Sequence, residues 1–176
     1  MRGWRSIATS LVIALGMLTA AQADPLESTP RIDRDPLHCL ALNIYHEARG
    51  ESDSGKIAVA HVVMNRVKSH RFPNSICKVV MQGGEKPRFR CQFSWHCDGR
   101  SDVPGDRRAW RKSKHLAEKV YTGQIQDPTE GALWYHADYA RPYWRVAFNQ
   151  GPKIGQHIFY NDKQAHQRVA SKDQAW

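Results

Sequence analysis

The residue types best suited to catalysis lie in the segment IYHEARGES, residues 44–52 of this 176-residue chain. Glu47 follows apolar residues at helical spacing, so we predict that it lies near the end of a buried helix. Burial raises the pKa of a carboxyl group. A carboxylic acid that stays protonated near neutral pH can donate its proton to a glycosidic oxygen. The plainer alternative is that Glu47 forms an ion pair with Arg49 or another cation.

Glu51 lies four positions after Glu47 and is the second candidate catalytic carboxylate. If the helix continues past Gly50, both carboxyls share one helix face, and their repulsion raises one of the two pKa values. If Gly50 ends the helix, Glu51 instead places its charge at the start of the next helix.

The aromatic segment LWYHADYARPYW, residues 133–144, is the second group of interest. Aromatic faces can stack on sugar rings, and nearby polar groups can orient the ligand. The candidate substrate-binding residues here are Tyr135, His136, Asp138 and Tyr143. Side chains alternate in a strand, so only one of Tyr135 and His136 is expected to reach the cleft. Some of these aromatic residues are equally suited to the core of a small sheet.

Gln92 and Ser94 are further candidates for substrate binding, because their neutral side chains can hydrogen-bond N-acetyl groups. They are also common in turns and strands. A metal-dependent amidase would need ligands such as His46, His61 or His136, but these histidines lack the HExxH spacing of such enzymes. We therefore predict no metal and no other cofactor.

Four cysteines, Cys39, Cys77, Cys91 and Cys97, predict two disulfides if the chain is exported. Three pairings are possible. We expect Cys91–Cys97, which closes a short loop, together with Cys39–Cys77. A zinc site is the alternative, but the paired CxxC spacing that favours one is absent.

The first 23 residues have the pattern of a cleaved secretory signal. Arg2 and Arg5 precede a mostly apolar run over residues 7–20, and Ala21-Gln22-Ala23 forms an A-x-A cleavage site. The alternative is a retained membrane anchor, but the apolar run is shorter than the roughly 20 residues that span a bilayer. The protein is thus expected to be exported, into the periplasm in view of its cysteines, with no integral membrane association after cleavage.

The charge balance favours an anionic partner. Loss of Arg2 and Arg5 lowers the formal net charge from +9 to +7, and a basic exported protein suits an anionic surface: cell-wall polymer, lipid head groups or nucleic acid. Net charge alone does not choose among these three. The basic residues are dispersed, and we interpret the run RKSK at 111–114 as a solvated helix face. No nucleic-acid partner is predicted.

These residues require one α+β domain over residues 35–162, helices first and a small antiparallel sheet last. A lead-in over 24–34 precedes it, and a polar tail over 163–176 follows. Asp35 and Pro36 predict the first helix start, Ser52 or Ser54 the second, and Asn74 a short third helix ending at Met81. The fourth helix is predicted over about 105–121. Predicted strands fall within residues 91–95, 131–138, 145–150 and 156–161.

Five ordered blocks resemble the SleB-like cell-wall hydrolases, a family named for spore-cortex-lytic enzymes. They occupy residues 41–67, 71–82, 91–99, 131–144 and 154–160. The resemblance implies a lysozyme-like catalytic domain, similar to that of the soluble lytic transglycosylases. It also implies that Glu47, the first glutamate of the EARGE block, is the catalytic acid and base. Glu51 matches the second glutamate, and we expect it to be at most a helper.

The expected function is cleavage of peptidoglycan glycan strands between N-acetylmuramic acid and N-acetylglucosamine. No second catalytic carboxylate stands out, which favours a lytic transglycosylase that uses Glu47 alone. A hydrolytic muramidase and a non-catalytic peptidoglycan-binding protein are the alternatives.

Overall fold

The computed structural model describes residues 35–84 and 90–163. The predicted signal sequence, the lead-in and all but the first residue of the tail lie outside the described residues. The helices are α1 (Pro36–Ala48), α2 (Asp53–Lys68), α3 (Ile76–Val80) and α4 (Arg107–Tyr121), with 3-10 helices at Ser94–Cys97 and Tyr143–Ala147. The strands are β1 (Trp134–Ala137), β2 (Asn149–Ile154) and β3 (His157–Asn161). Within the described ranges, no helix has both the length and the apolar character needed to cross a membrane.

Side-chain caps start the three long helices. The Asp35 carboxylate accepts a hydrogen bond from the Leu37 amide at 3.0 Å, and the Ser52 hydroxyl accepts one from the Gly55 amide at 3.3 Å. These caps satisfy amides that have no partner within the helix. Both starts agree with the sequence prediction, and Asp106 caps α4 in the same way.

The third helix begins later than predicted. Its N-cap is Ser75 rather than Asn74, and Ser75 makes no capping bond with its side chain. The backbone of Ser75 is still extended, with φ −142° and ψ 149°, so the chain turns helical only at Ile76.

The main core forms where α1 packs against α2, α3 and α4. Every residue from 39 to 45 is buried, with at most 6% of its surface exposed. Leu40 and Ile44 meet Val63 of α2, Val79 of α3 and Leu116 of α4. Burial of each such side chain stabilises the fold by about 1.5–3 kcal/mol. This packing holds the end of α1, and therefore Glu47, in a fixed place.

Two disulfides reinforce the helical part. Cys39–Cys77, the long-loop disulfide, joins α1 to α3, and Cys91–Cys97, the short-loop disulfide, closes a local turn. These are the pairs that the sequence predicted.

The sheet has the order β1-β3-β2, and all its pairs are antiparallel. Tyr135 of β1 is opposite Phe159 of β3. Phe159 is fully buried in a second core cluster with Val62 of α2, which joins the sheet to the helices. The predicted α+β class, with helices first and a small antiparallel sheet last, is confirmed.

Two of the predicted strands are wrong. Residues 94–97 form a 3-10 helix within the loop that the short-loop disulfide closes. Residues 145–147 belong to the 3-10 helix Tyr143–Ala147, and only Asn149 and Gln150 of that prediction enter β2. Phe148, between the two elements, stacks on Trp134 with ring centroids 3.8 Å apart. Its aromatic character reflects this contact rather than a strand.

Candidate active site

Glu47 lies in the last turn of α1 and faces β1. It is half-buried, and its Oε2 accepts a hydrogen bond from the Tyr135 hydroxyl at 3.0 Å. Burial raises the pKa of Glu47, because the ionised carboxylate loses hydration; the Tyr135 bond and the charge of Arg66 lower it by less. The predicted buried carboxyl with a raised pKa is therefore present.

Arg66 of α2 is the cation whose charge lowers the pKa of Glu47. It was not among the residues predicted from the sequence. It is only 2% exposed, and its Nε donates to the Leu133 carbonyl at 2.8 Å. Its guanidinium lies over the rings of Phe72 and Phe93, at 5.0 and 5.4 Å from their centroids. Burial lowers the pKa of Arg66 to about 10, so it remains charged at neutral pH. A lone arginine within the apolar run of α2 was the available signal.

The ion pair between Glu47 and Arg49 does not form. The guanidinium of Arg49 instead lies 5.3 Å from the centroid of the Tyr45 ring, on the other side of the helix end. Glu47 is therefore held by a tyrosine hydroxyl and influenced by a buried cation, without a salt bridge of its own in the described part of the chain.

Glu51 occupies the connection between α1 and α2. Because α1 ends at Ala48, Glu47 and Glu51 do not share a helix face. The Glu51 Oε2 accepts a hydrogen bond from the Gln156 amide at 3.1 Å, in the turn between β2 and β3. That turn passes through Gly155, where φ is +59° and an added Cβ would overlap the Glu51 carboxylate. Glu51 thus ties the helical part to the hairpin.

His157 connects the two glutamates, and the sequence analysis did not single it out. Its ring packs edge-on against Tyr135 at 5.1 Å, and its Nδ1 lies 3.9 Å from Glu51 Oε1. Burial lowers the pKa of His157 and outweighs the opposite effect of Glu51. A continuous set of contacts therefore runs from Glu47 through Tyr135 and His157 to Glu51. We refer to these four residues as the glutamate site.

Tyr135 and His136 point to opposite faces of β1, as predicted, and only Tyr135 reaches Glu47. His136 is buried, its Nδ1 lies 2.8 Å from the Ala137 carbonyl, and its Nε2 lies 2.9 Å from the Tyr160 hydroxyl. The carbonyl can only accept, so Nδ1 donates and Nε2 accepts from Tyr160. With both nitrogens engaged, His136 is a packing residue of the sheet, and we withdraw it as a substrate-binding candidate.

Asp138 and Tyr143 lie beyond β1, outside direct contact with Glu47. Asp138 pairs with Lys153 at 2.7 Å, and this bond holds the pKa of Asp138 below its usual range. The Asp138 amide donates to the Gln156 carbonyl at 2.8 Å, beside the turn that Glu51 contacts. Tyr143 is 89% exposed on its 3-10 helix. Asp138 therefore supports the hairpin turn, while Tyr143 offers a free aromatic face.

Gln92 and Ser94 are exposed on either side of the buried Phe93. Phe93 packs under the Arg66 guanidinium, which places this segment next to the residues behind Glu47. Neither the Gln92 nor the Ser94 side chain bonds to a member of the glutamate site, so each is free to meet a ligand.

The three histidines of the metal hypothesis lie in separate surroundings. His46 stacks on Trp95 with centroids 4.4 Å apart, His61 lies 3.9 Å from Asp127, and His136 bonds to the sheet. Across residues 35–84 and 90–163, no three or more His, Cys, Asp or Glu side chains are grouped to hold a metal ion.

Comparison with known proteins shows the family of this chain. Residues 50–160 match the family model described as Cell Wall Hydrolase. The chain belongs to the cell wall hydrolase family. The matched segment includes Glu51, Tyr135 and His157 and begins three residues after Glu47.

Curated relatives of this cell wall hydrolase are spore cortex-lytic enzymes. That of Bacillus cereus is 33% identical over 129 residues, covering 72% of this chain and 44% of the relative. The enzyme of Bacillus subtilis is 32% identical over 126 residues, which cover 70% of this chain and 36% of the relative. The chain thus spans less than half the length of the curated relatives it matches.

Two solved structures resemble this cell wall hydrolase over most of their own length. The catalytic domain of the Bacillus cereus SleB protein is 32% identical, with a TM-score of 0.57, and the match covers 73% of this chain and 91% of that one. The catalytic domain of the germination-specific lytic transglycosylase SleB from Bacillus anthracis is also 32% identical, with a TM-score of 0.58. That match covers 77% of this chain and 98% of the other. The predicted SleB-like resemblance and lysozyme-like fold are confirmed.

Proposed function

We propose that this cell wall hydrolase cleaves peptidoglycan glycan strands between N-acetylmuramic acid and N-acetylglucosamine, with Glu47 as general acid. The observation that carries the proposal is the half-buried Glu47 carboxyl, whose pKa is raised and whose Oε2 is held by Tyr135 at 3.0 Å. A raised pKa keeps a carboxyl protonated to a higher pH than usual, and the Tyr135 bond fixes the direction in which the proton can be delivered.

In the first step, the Glu47 proton moves to the glycosidic oxygen as the bond from that oxygen to the anomeric carbon breaks. Positive charge develops on the sugar, and negative charge develops on Glu47. The Tyr135 hydroxyl and the buried Arg66 charge stabilise the new carboxylate, because both favour the ionised form of Glu47. The same carboxylate is then available as a base.

In the second step, Glu47 removes a proton from the nucleophile that attacks the anomeric carbon. If the nucleophile is the C6 hydroxyl of the muramic acid residue, the product is a 1,6-anhydro sugar, as in lytic transglycosylation. We favour this outcome because Glu51, the nearby carboxylate, is bonded to the Gln156 amide. This bond anchors Glu51 in the hairpin turn.

Hydrolysis is the second candidate. In that case water attacks, and the product carries an ordinary reducing end. The free Glu51 Oε1, which lies 3.9 Å from His157 and accepts no hydrogen bond from the described residues, is the feature that favours it. A water molecule bound at this oxygen could transfer a proton to the Glu51 carboxylate as it attacks the anomeric carbon.

Product analysis separates these outcomes. Mature protein, residues 24–176, is incubated with purified peptidoglycan, and the soluble fragments are weighed by mass spectrometry. We expect muropeptides lighter by one water than the hydrolysed form. Fragments with only hydrated reducing ends would refute the transglycosylase version. A protein that co-sediments with the wall without releasing fragments would be a binding protein.

The role of Glu47 is tested by Glu47→Gln, which keeps the shape of the side chain and removes its transferable proton. We expect an unchanged circular dichroism spectrum and a loss of fragment release of about 100-fold or more, in the range of a lost general acid. Glu118→Gln, an exposed position on α4, is the matched control and should leave release unchanged. Wall lysis retained by Glu47→Gln would remove Glu47 from the central role.

The site of action follows from the same proposal. Peptidoglycan lies outside the cytoplasmic membrane, and two disulfides suit an oxidising compartment such as the periplasm. We therefore place the mature protein there, with glycan strands as its partner and no cofactor.

A further inference from the structure

The α1–α2 connection borders a concavity on its side toward α4. This is an open cleft of about 620 Å³ between the end of α1, the start of α2 and the first turns of α4. We call it the basic cleft, because five of the charged residues that line it are cations and two are acids. They are Arg49, Lys56, Arg108, Arg111 and Lys112, with Asp53 and Asp106.

Both acids of the basic cleft already have partners. Asp53 pairs with Lys112 at 2.5 Å, and the Asp106 carboxylate accepts hydrogen bonds from the amides of Arg108 and Ala109 at 2.8 and 3.0 Å. The Asp106 carboxylate is thus committed to capping α4. The cleft keeps a surplus of positive charge, which attracts anions.

Arg108 and Arg111 supply much of that surplus. Both are exposed, and they lie three positions apart on α4, so their side chains share one face of the helix. No carboxylate of the described residues lies within 4 Å of either guanidinium. The predicted solvated run at 111–114 therefore contributes its first two residues, Arg111 and Lys112, to a shaped basic surface.

Lys56 lines the part of the basic cleft that is next to the glutamate site. It is only 6% exposed, and its ammonium donates to the backbone carbonyl of Glu51. An ammonium has three donors, and this one faces no carboxylate in the described part of the chain. A buried cation without a counter-charge favours an anionic ligand.

The basic cleft and Glu47 lie on opposite sides of the end of α1. Residues two apart in a helix are rotated by about 200°, so Glu47 faces β1 while Arg49 faces α4. The helix end between them is exposed at Arg49 and Gly50. A helix with its side chains is about 10–12 Å across, so half its circumference is about 16–19 Å. An extended peptide of about five residues spans up to ~18 Å. A short peptide that starts near Glu47 can therefore reach the basic cleft around this end.

We propose that the basic cleft binds the carboxylates of the peptide stem carried by the muramic acid residue whose bond lies at Glu47. The inference rests on the proposed function and extends it from the sugar to the peptide. The lactyl carboxyl of a substituted muramic acid is consumed in its amide bond, so the free carboxylates of such a strand belong to its peptides. Guanidinium groups bind carboxylates through paired, charge-assisted hydrogen bonds.

The test measures binding, with Glu47→Gln as the parent so that the wall is not cut. Co-sedimentation gives the affinity for peptide-bearing wall and for wall stripped of its stems by an amidase. We expect the parent to prefer peptide-bearing wall, and Arg108→Gln/Arg111→Gln to reduce that preference about tenfold. The control, Lys78→Gln/Arg107→Gln, removes the same charge from exposed positions outside the cleft and should keep the preference.

Released stem peptides and polyphosphate, added as competitors, identify the anion. Displacement of the parent from peptide-bearing wall by stem peptides supports the proposal. Displacement by polyphosphate while stem peptides have no effect would overturn it in favour of a phosphate polymer. A preference that survives in the cleft variant, or that falls equally in the control, would also overturn it. Because no readout needs catalysis, failure of the inference is distinguishable from failure of the proposed glycan cleavage.

Discussion

The hydroxyl of Tyr135 offers the sharpest test of how its surroundings set the pKa of Glu47. Tyr135→Phe removes the donor that lies 3.0 Å from Glu47 Oε2. The ring contacts with His157 and Phe159, at 5.1 and 5.6 Å between centroids, involve no hydroxyl and should remain. The change is therefore confined to one hydrogen bond.

The bond from Tyr135 favours the ionised form of Glu47 and so lowers its pKa; removing it raises that pKa further. A hydrogen bond to a charged group contributes about 1.5–3 kcal/mol. One pH unit corresponds to about 1.36 kcal/mol. Because Glu47 is half-buried, water replaces part of the lost bond, and we take the lower end, an upward shift of about one pH unit.

The direction of the change in activity follows from the proposed role of Glu47 as a general acid. A general acid must be protonated when substrate binds, so kcat/KM falls as the pH rises through the pKa of Glu47. In Tyr135→Phe this alkaline limb should move to higher pH by about one unit. The maximal rate should fall by about tenfold, because the carboxylate formed by proton transfer has lost a stabilising donor.

The assay is the initial rate of clearing of a peptidoglycan suspension, measured across the pH range for the parent and two variants. Tyr160→Phe is the matched control, since its hydroxyl contacts His136 on the other face of the sheet. An alkaline limb that stays in place or moves down in Tyr135→Phe would refute the reasoning. An equal upward movement in Tyr160→Phe would show that the effect is not specific to Glu47.

Two further predictions concern stability and the hairpin turn. Gly155→Ala and Gly123→Ala both place a side chain at positive φ, but only the former meets another group, the Glu51 carboxylate. In urea titrations, Gly155→Ala should therefore lower the free energy of unfolding by at least about 1 kcal/mol more than Gly123→Ala does. Gly155→Ala should also reduce wall lysis. Equal losses of stability in the two variants would show that the turn does not depend on Glu51. Replacing both cysteines by alanine should cost about 4 kcal/mol for the long-loop disulfide and about 2 kcal/mol for the short-loop disulfide, since their cysteines lie 38 and 6 positions apart. Thermal melts check this order, and a larger loss from the short-loop pair would contradict it.

Local sequence determined much of the helical part. Asp35 with Pro36, and Ser52, mark helix starts because a capping side chain and the amides it satisfies lie within three residues of each other. The apolar spacing before Glu47 predicted a buried helix for the same reason, since helical periodicity is a local property. Strand alternation likewise separated Tyr135 from His136. The strand prediction failed for residues 145–148, because residues 145–147 are in a 3-10 helix and Phe148 packs against Trp134.

Tertiary structure decided how the glutamate site is assembled. Tyr135 reaches Glu47 across 88 positions of the chain, and the Gln156 amide reaches Glu51 across 105. Residue types and spacing identified Glu47 and Glu51, but no local pattern specifies which strand closes over which helix end. The roles of Arg66 and His157 depend on that closure, because burial and neighbouring charge arise only when distant elements pack together. The sequence by itself therefore identified the proposed acid, and the packing of the sheet on α1 and α2 determined the groups that contact it.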